Sequence, residues 1–180
     1  MNRLLIVVNM QNDYIDGDAA LPEAKALVPK VWKKLREYID NDDPTDQIIY
    51  VRDTHREGYL NTDEGKHYPI KHCVRGTDGW QVVGDIDLPR NIHINKTAAG
   101  YPYWDINGLV EADINGVEQI ELVGLYTDRD ILANALIIKS IFPEIDVVVD
   151  RGCCIGSTQN LENMAVEIMK SCYITVKECE

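Results

Sequence analysis

The chain has 180 residues and carries 30 acidic against 18 basic side chains, a formal net charge of −12 at pH 7. Hydrophobic residues make up 45% and charged residues 27% of the sequence, an ordinary globular composition that excludes a disordered or low-complexity chain. Because an acidic chain without a long Lys/Arg cluster cannot displace counterions from a phosphate backbone, nucleic acid is not expected as a partner.

The amino-terminal segment predicts a cytoplasmic protein without a membrane partner. Its apolar run, Leu4–Val8, has five residues, whereas a membrane span needs about 20. The cysteines are odd in number and show no paired CxxC spacing: Cys73, Cys153, Cys154, Cys172 and Cys179. This pattern indicates neither a disulfide framework nor a thiolate zinc site, so we expect reduced thiols.

Short apolar, β-branched runs alternate with helical patterns along the chain. The predicted strands are Leu4–Val8, Gln47–Val51, Ile92–Ile94, Gln119–Val123, Asp146–Val149 and Tyr173–Val176. Apolar residues recur at helical spacing within residues 27–39, 131–138 and 161–169. Because the strands are almost uniformly apolar, both sheet faces must be covered, and alternation with helices implies parallel pairing. The sequence therefore predicts a single α/β domain over residues 1–180, a Rossmann-like three-layer α/β/α fold with a mainly parallel six-stranded sheet.

One segment breaks this alternation. From Arg52 to Pro89 the chain is rich in Gly, His, Asp and Thr without periodicity, and structureless segments of this length are usually functional. Ligands of open parallel sheets bind beyond the carboxyl ends of the strands. Polar residues follow four of the predicted strands: Asn9–Asp13, Asp53–His55, Lys96 and Gly124–Asp130. We expect the site where these ends converge.

The four strand ends and the irregular segment together carry five motifs that resemble a known family. The motifs are Asn9-Met10-Gln11-Asn12-Asp13-Tyr14, Arg52-Asp53-Thr54-His55, His72-Cys73-Val74-Arg75-Gly76-Thr77, Lys96 and Gly124-Leu125-Tyr126-Thr127-Asp128-Arg129-Asp130. In this order and at these spacings they resemble the isochorismatase-like cysteine hydrolase superfamily, and within it they are most similar to nicotinamidases. The resemblance extends over nearly the whole chain. It implies an isochorismatase-like fold, a small-molecule substrate or ligand and a homo-oligomer.

The resemblance implies catalytic positions at Asn9, Lys96 and Asp130. Enzymes of the family have Asp, Lys and Cys there: the Cys attacks an amide carbonyl, the Asp transfers protons, and the Lys adjusts their pKa values. This sequence keeps only Lys96. Because an Asn amide does not titrate and a carboxylate is a far weaker nucleophile than a thiolate, the usual thioester mechanism is excluded. The pocket still pairs one carboxylate with one ammonium, with the carboxylate at position 130 instead of position 9.

Two interpretations of Asp130 stay open. Thr127 and Asp130 match a capping box, in which an acidic residue of the first turn stabilises its helix by roughly 0.3–1 kcal/mol. Alternatively, Asp130 acts on a substrate as a base or nucleophile, or positions a ligand. In both interpretations the helix N-terminus and Lys96 would favour the ionised form of Asp130.

The resemblance to nicotinamidases implies that Asp53, His55 and His72 hold a divalent metal. Glu64 matches the position of an additional carboxylate ligand in some members. Mixed imidazole and carboxylate ligands suit Zn, Fe or Mn, with positions left open for water or a substrate. The alternative is a hydrogen-bonded loop histidine beside a surface carboxylate.

The family resemblance also implies a substrate pocket around Tyr126 and Asp130. The Leu125–Tyr126 bond occupies the place where the family often has a cis peptide, and backbone N–H groups, including that of residue 130, form an oxyanion hole there. Aromatic residues would line a pocket for a flat ligand: Tyr14, Tyr101, Tyr103 and Trp104. These residues fit an amphipathic wall of the core equally well.

Three functions follow as hypotheses. The first is a hydrolase of the C–N bond in a small cyclic or aromatic amide, working with altered catalytic residues. The second is a catalytically silent family member that binds a small aromatic ligand at its metal. The third, isochorismatase-type cleavage of a vinyl ether, needs an acid at position 9, and Asn9 makes it the weakest of the three.

Overall fold

Six apolar segments form the strands of one sheet in the computed structural model, which describes residues 2–41, 45–89, 92–104 and 116–178. The strands are β1 (Arg3–Val8), β2 (Gln47–Asp53), β3 (Ile92–Lys96), β4 (Gln119–Leu125), β5 (Asp146–Ile155) and β6 (Thr175–Lys177). The α-helices are α1 (Asn12–Ile15), α2 (Ala24–Ile39), α3 (Asp63–His67), α4 (Leu132–Ile141) and α5 (Gln159–Ser171). A 3₁₀ turn, Tyr59–Asn61, precedes α3, and a π-helical turn, Thr127–Ile131, precedes α4.

The sheet has the strand order β3-β2-β1-β4-β5-β6, and all its pairings are parallel. The chain first builds outward from β1 to β3 and then crosses to β4 on the other side of β1. The carboxyl ends of β1 and β4 therefore lie at the point where the strand order reverses, which is where open α/β sheets bind ligands. The predicted six-stranded parallel sheet is confirmed.

Helices cover both faces of the sheet, as its apolar strands require. On one face α2 packs against the sheet, mainly against β5, and its Leu27, Val31 and Leu35 share a buried cluster with alternate β1 residues such as Leu5. On the other face α4 and α5 pack against the intervening set, which includes Leu4, Ile6 and Val8. Both α5 and α2 present an apolar stripe at helical spacing, which produces these two layers. The predicted α/β/α layering is thus present.

The last strand begins later than the sequence pattern predicts. Tyr173 has a positive φ of 64° and is 86% exposed, so it belongs to the turn after α5. Strand β6 then starts at Thr175 and pairs with β5 through three residues. The sequence predicts the earlier start because Tyr, Ile and Val have high strand propensity, whatever backbone conformation their position requires.

The segment between β2 and β3 folds back over the carboxyl ends of the strands. His55 forms a parallel bridge with Val74, and Gln11 forms an antiparallel bridge with Val82. The segment is therefore anchored at two points although most of it is irregular. None of the helices within the described residues is long and apolar enough to cross a membrane.

Candidate active site and metal centre

The carboxyl ends of four strands bring buried polar side chains together. Asn9 follows β1, Asp53 ends β2 and Lys96 ends β3. Asp130 lies in the π-helical turn after β4. All four side chains are buried, although each is polar or charged. Burial of such groups is costly unless they are paired, so their mutual contacts decide whether the cluster is tolerated.

Lys96 is the centre of this cluster. Its Nζ donates to Oδ1 of Asp130 at 2.6 Å and to Oδ1 of Asp53. Burial alone would lower the pKa of Lys96, but the two carboxylates outweigh it and raise the pKa above its ordinary value. Lys96 is therefore a permanent ammonium that bridges two carboxyl groups.

Asp53 accepts hydrogen bonds from three side chains. Besides Lys96, the donors are Nδ2 of Asn9 at 3.0 Å and the hydroxyl of Tyr14 at 2.5 Å. Burial raises the pKa of Asp53, but Lys96 and the other donors outweigh it, and the pKa falls below its usual range. Asp53 is thus ionised. The amide of Gln11 holds this strand end in place, because it bonds both the backbone N–H and the backbone carbonyl of Asp53.

Asp130 has a different environment, and the predicted capping box does not form. The Oγ1 of Thr127 is buried without a hydrogen-bond partner, and the turn that it starts is π-helical. Oδ2 of Asp130 instead accepts from the backbone N–H of Tyr126 at 3.4 Å, while Oδ1 bonds Lys96. Burial, reinforced by Asp53, raises the pKa of Asp130 against the opposing effect of Lys96. Lys96 does favour the ionised form, as expected, but burial outweighs it and the net shift of the pKa is upward.

Asp53, His55 and His72 form a group that could hold a metal ion. One potential ligand atom from each lies within 4.8 Å of the others. Nε2 of His55 is buried and has no hydrogen-bond partner, while Nδ1 of His72 contacts the carbonyl of Ile70 at 2.6 Å. That contact with a backbone carbonyl fixes the orientation of the His72 ring and leaves Nε2 for a metal. Burial lowers the pKa of His55 to about 4, so its ring is neutral and able to ligate near pH 7.

The chemistry of these donors fits a divalent transition metal. Two imidazoles and one carboxylate are ligands that Zn, Fe and Mn accept, and such sites keep positions open. Glu64 lines the same cavity but lies outside the three-residue group within the described residues. Burial and the nearby Asp53 raise the pKa of Glu64. The structure therefore places Glu64 beside the group without bringing it into direct ligand distance.

A cavity of about 460 Å³ opens onto these residues. The residues around it come from five segments of the chain: Tyr14, Asp53, His55, Thr62, Asp63, Glu64, Thr97, Ala98, Ala99, Arg129 and Asp130. Its volume suits a small molecule of the size that concave enzyme sites take. Sequence reasoning missed Arg129, which belongs to no recognised catalytic pattern. Its position directly before Asp130 was the signal that could have found it.

The predicted aromatic pocket is only partly present. Tyr14 lines the cavity, but Trp104 is fully buried in the core, where its Nε1 donates to Asn134 at 3.2 Å. Tyr103 is 52% exposed and packs edge-on against Tyr101. Neither residue belongs to the described lining of the cavity. The amphipathic-wall interpretation therefore describes Trp104, because a buried indole with a bonded N–H is an ordinary core residue.

Tyr126 contributes its backbone to the site and not its side chain. The Leu125–Tyr126 peptide bond is cis, as the family resemblance implied. The phenol points away from the cavity and donates to the carbonyl of Ala19 at 3.0 Å. The ring packs edge-on against Tyr14, with ring centroids 5.4 Å apart. The bulk of Tyr126 therefore supports the wall of the site without filling it.

The three buried cysteines of the described residues do not supply a nucleophile in place of the family's Cys. Burial raises the pKa of the Cys73 thiol well above its usual range, and it raises the pKa of Cys153 to about 12. Cys154 is shifted in the same direction by burial. Four cysteines are free within the described residues, whereas Cys179 lies outside them. Protonated buried thiols are unreactive.

Comparisons with known proteins match the chain over nearly its whole length. A family model described as the isochorismatase domain matches residues 3–179. The chain is similar to the crystal structure of a pyrazinamidase from Pyrococcus horikoshii in complex with zinc, with 27% sequence identity and a TM-score of 0.81. That match covers 99% of this chain and 100% of the pyrazinamidase.

Two further solved structures share the fold at lower identity. An N-carbamoylsarcosine amidase from Thermoplasma acidophilum is 23% identical with a TM-score of 0.77, over 99% of this chain and 96% of that chain. The nicotinamidase of yeast is 19% identical with a TM-score of 0.78, over 97% of this chain and 98% of that chain. No curated protein matches the chain.

Proposed function

Because the chain belongs to the isochorismatase family, we propose that it is a hydrolase of the C–N bond in a small amide. The observation that carries the proposal is the position of Lys96, whose ammonium joins Asp130 to Asp53 at the buried end of the cavity. The zinc-bound pyrazinamidase and the amidase of similar fold support an amide as the substrate class. The fold alone would leave the reaction open.

Asp130 is the proposed general base. Its carboxylate takes a proton from a water molecule as the water oxygen bonds to the amide carbonyl carbon, giving a tetrahedral intermediate. The C–N bond then breaks, and Asp130 returns the proton to the leaving nitrogen. One amide and one water become one carboxylic acid and one amine, and Asp130 ends as it began. A buried carboxylate with a raised pKa is a stronger base than an exposed one, which suits this role.

Lys96 and Asn9 position the reacting groups. The ammonium of Lys96 holds Oδ1 of Asp130 at 2.6 Å and leaves Oδ2 with only the long contact to a backbone N–H among the described hydrogen bonds. Asn9 has no titratable proton, so it orients Asp53 by donating to Oδ2. This division of roles explains how the proton-transferring carboxylate can stand at position 130 while position 9 carries an amide.

Asp53, His55 and His72 would hold a divalent metal, and the unsatisfied Nε2 of His55 fits that role. A bound Zn, Fe or Mn ion would act as a Lewis acid near the substrate carbonyl or its attacking water. The proposal covers these three metals, which the experiment below compares.

Ammonia release from a panel of small carboxamides tests the proposal. Zinc-, iron- and manganese-loaded wild type is compared with Asp130→Asn and Lys96→Ala, using Asp85→Asn as an exposed acidic control. We expect Asp130→Asn to lower kcat by about 10²- to 10⁴-fold, because it removes the proton acceptor while keeping the shape. Wild-type rates in both site variants would contradict the proposal.

A single turnover in ¹⁸O-labelled water, with mass spectrometry of the acid-quenched protein, separates a base from a nucleophile at position 130. If Asp130 activates water, the first acid product carries the label and no acyl adduct forms on Asp130. If Asp130 attacks the carbonyl, an anhydride forms on Asp130, and the label enters either Asp130 or the product according to which anhydride carbonyl the water attacks. We expect a labelled first product and no adduct on Asp130.

A silent ligand-binding protein is the second candidate. The absence of a titratable group at Asn9 and the engagement of both carboxylates by Lys96 favour it. Binding of a small aromatic amide to the metal-loaded protein without release of ammonia from any metal form would support this candidate over the hydrolase.

A further inference from the structure

Arg129 lines the cavity with a guanidinium group that has no hydrogen-bond acceptor within the described residues. Its Nε is buried and unsatisfied, while 39% of the side chain remains accessible. The nearest carboxylate oxygen, Oδ2 of Asp130, lies 4.0 Å from Nε, which is beyond a hydrogen bond. A buried donor left without a partner is unfavourable, because its hydrogen bond to water is lost and not replaced. A ligand acceptor would remove that cost.

Aromatic rings fix the orientation of this guanidinium. Its carbon lies 4.4 Å from the ring centroid of Tyr126 and 5.8 Å from that of Tyr68. Stacking occupies the face of a guanidinium and leaves the N–H groups, which lie in its plane, available for an acceptor. The side chain is therefore held for recognition and is not a freely moving surface charge.

Asp130 does not need Arg129 as its counterion. Lys96 already donates to Oδ1 of Asp130 at 2.6 Å, whereas Arg129 stays 4.0 Å from Oδ2. Replacing the arginine would leave the Lys96 contact in place. Arg129 is thus a cation beside the proposed base without being bonded to it.

The balance of charge in the cavity favours an anionic ligand group. Four charged side chains meet at its inner end: Asp53, Lys96 and Asp130, which are buried, and the partly exposed Arg129. The carboxylates of Asp63 and Glu64 also line the cavity, but both residues are exposed and therefore screened by solvent. A divalent metal at the Asp/His/His group would leave these four charges, which otherwise cancel, with two positive charges in excess.

We propose that Arg129 determines substrate specificity by binding a carboxylate carried by the substrate, so that the substrate class is small carboxamides with a second, anionic carboxylate. This inference rests on the proposed function, because it places the amide at Asp130. A planar guanidinium matches a carboxylate through two parallel N–H bonds, which a neutral group of the same shape does not provide. The position of Arg129 next to Asp130 then sets the distance between the recognised carboxylate and the amide that reacts.

Binding of two matched probes tests the role of Arg129. The probes are 3-carbamoylbenzoate and its neutral isostere 3-nitrobenzamide, titrated calorimetrically into zinc-loaded protein. We expect wild type to bind the carboxylate at least tenfold more tightly. In Arg129→Met the preference should fall to about threefold or less, and in Arg129→Lys to an intermediate value, because an ammonium keeps the charge and loses the two-pronged geometry. Arg36→Met, which removes an exposed arginine on α2, should keep the wild-type preference.

The outcomes separate this inference from the proposed function. The inference is overturned if wild type binds neither probe or shows no preference, or if the preference survives in Arg129→Met. Thermal unfolding of each variant shows whether it is folded. If Arg129→Met does not fold, the preference of Arg129→Lys is compared with that of wild type instead. An Arg129-dependent preference without ammonia release from any amide would uphold the binding role and overturn the hydrolase. Ammonia release that needs Asp130 but shows no carboxylate preference would overturn only the inference.

Discussion

Lys96 carries the electrostatic balance of the site at the scale of single residues. It contacts two buried carboxylates at once, and its own side chain is fully buried. Removing one partner of a buried ion pair leaves an uncompensated charge, which is far more costly than replacing the whole pair. The stability of the site therefore depends on this residue more than on either carboxylate.

Replacement of Lys96 by Met should lower the free energy of unfolding of the metal-free protein by about 3–5 kcal/mol, because Asp53 and Asp130 would face each other without a cation. Urea denaturation followed by circular dichroism measures the change. Lys33→Met, at an exposed position of α2, should stay within about 0.5 kcal/mol of wild type. A loss below 1 kcal/mol in Lys96→Met would show that the carboxylates are neutral or hydrated instead.

At the scale of elements, the close approach of β1 and β4 positions the site. Gly124 lies in β4 with a φ of +120°, and a Cβ built there would lie 2.0 Å from the carbonyl oxygen of Val8. Residues with a side chain rarely adopt that backbone conformation. The clash is with a backbone atom, which cannot move away without distorting the sheet. The residues that follow both strands, Asn9 and the 127–131 turn, take their places from this contact.

Gly124→Ala should therefore destabilise the fold by more than 3 kcal/mol, because it combines a strained φ with a backbone clash. Thermal unfolding gives the comparison. Gly84→Ala is the matched control, since its Cβ would meet nothing within 4 Å and we expect the melting temperature to stay the same or rise slightly. Equal melting temperatures for the two variants would contradict the structure at β1 and β4.

Helix α2 is attached to the sheet by a buried ionic network away from the candidate site. Glu121 of β4 accepts from the hydroxyl of Tyr38 at 2.7 Å, from Lys177 at 2.9 Å and from Lys34 at 3.3 Å. Burial alone would raise the pKa of Glu121, but these donors outweigh it and lower the pKa below its ordinary value of 4.5. The network fixes α2 relative to β4 and β6.

The same shift predicts how stability depends on pH. As the pH falls below about 4.5, the unfolded chain binds a proton at position 121 before the folded protein does, so the free energy of unfolding decreases. Glu121→Gln should lower the free energy of unfolding by about 1.5–3 kcal/mol at pH 7. Stability should then fall less steeply at acidic pH (a shallower acid limb) than in wild type. Denaturant titrations at several pH values measure both effects. Glu118→Gln, at an exposed position, should reproduce the wild-type curve; an unchanged acid limb in Glu121→Gln would contradict the assignment.

At the scale of the whole molecule, metal binding should couple to folding. A ligand that binds only the folded chain stabilises it by about 2.7 kcal/mol at 100 times its Kd. Zinc in that excess should therefore raise the melting temperature by about 5–10 °C for a chain of this size. His72→Ala should abolish most of the shift, whereas His67→Ala, whose side chain is 80% exposed, should keep it. The same shift in both variants would show that zinc binds elsewhere.

The homo-oligomer expected from the family resemblance stays a prediction. Light scattering coupled to size-exclusion chromatography would measure it directly, and a mass equal to that of one chain would contradict it.

The sequence by itself was sufficient for the fold and for most of the residues that the fold groups at the candidate site. Apolar runs of β-branched residues alternating with helical patterns require a covered parallel sheet, because each face must be buried. The ends of those strands then identified Asn9, Asp53, Lys96 and Asp130, since parallel strands end at one edge. The local pattern predicted the wrong start for the last strand at Tyr173, because this residue has the positive φ of a turn despite its strand propensity.

Tertiary structure decided the chemistry of those residues. Whether Asp130 caps a helix or faces a cavity depends on Lys96, 34 residues away in the chain, and on burial, which raises the pKa of Asp130 against the effect of Lys96. Tertiary structure likewise decides the environment of Trp104, which the fold buries in the core. It also leaves Nε of Arg129 without a hydrogen-bond partner beside Asp130. Periodicity and motif order report local preference and burial, so they determine elements. Charge state and hydrogen-bond partners depend on which distant groups meet in a region of low dielectric, and only the folded chain fixes that.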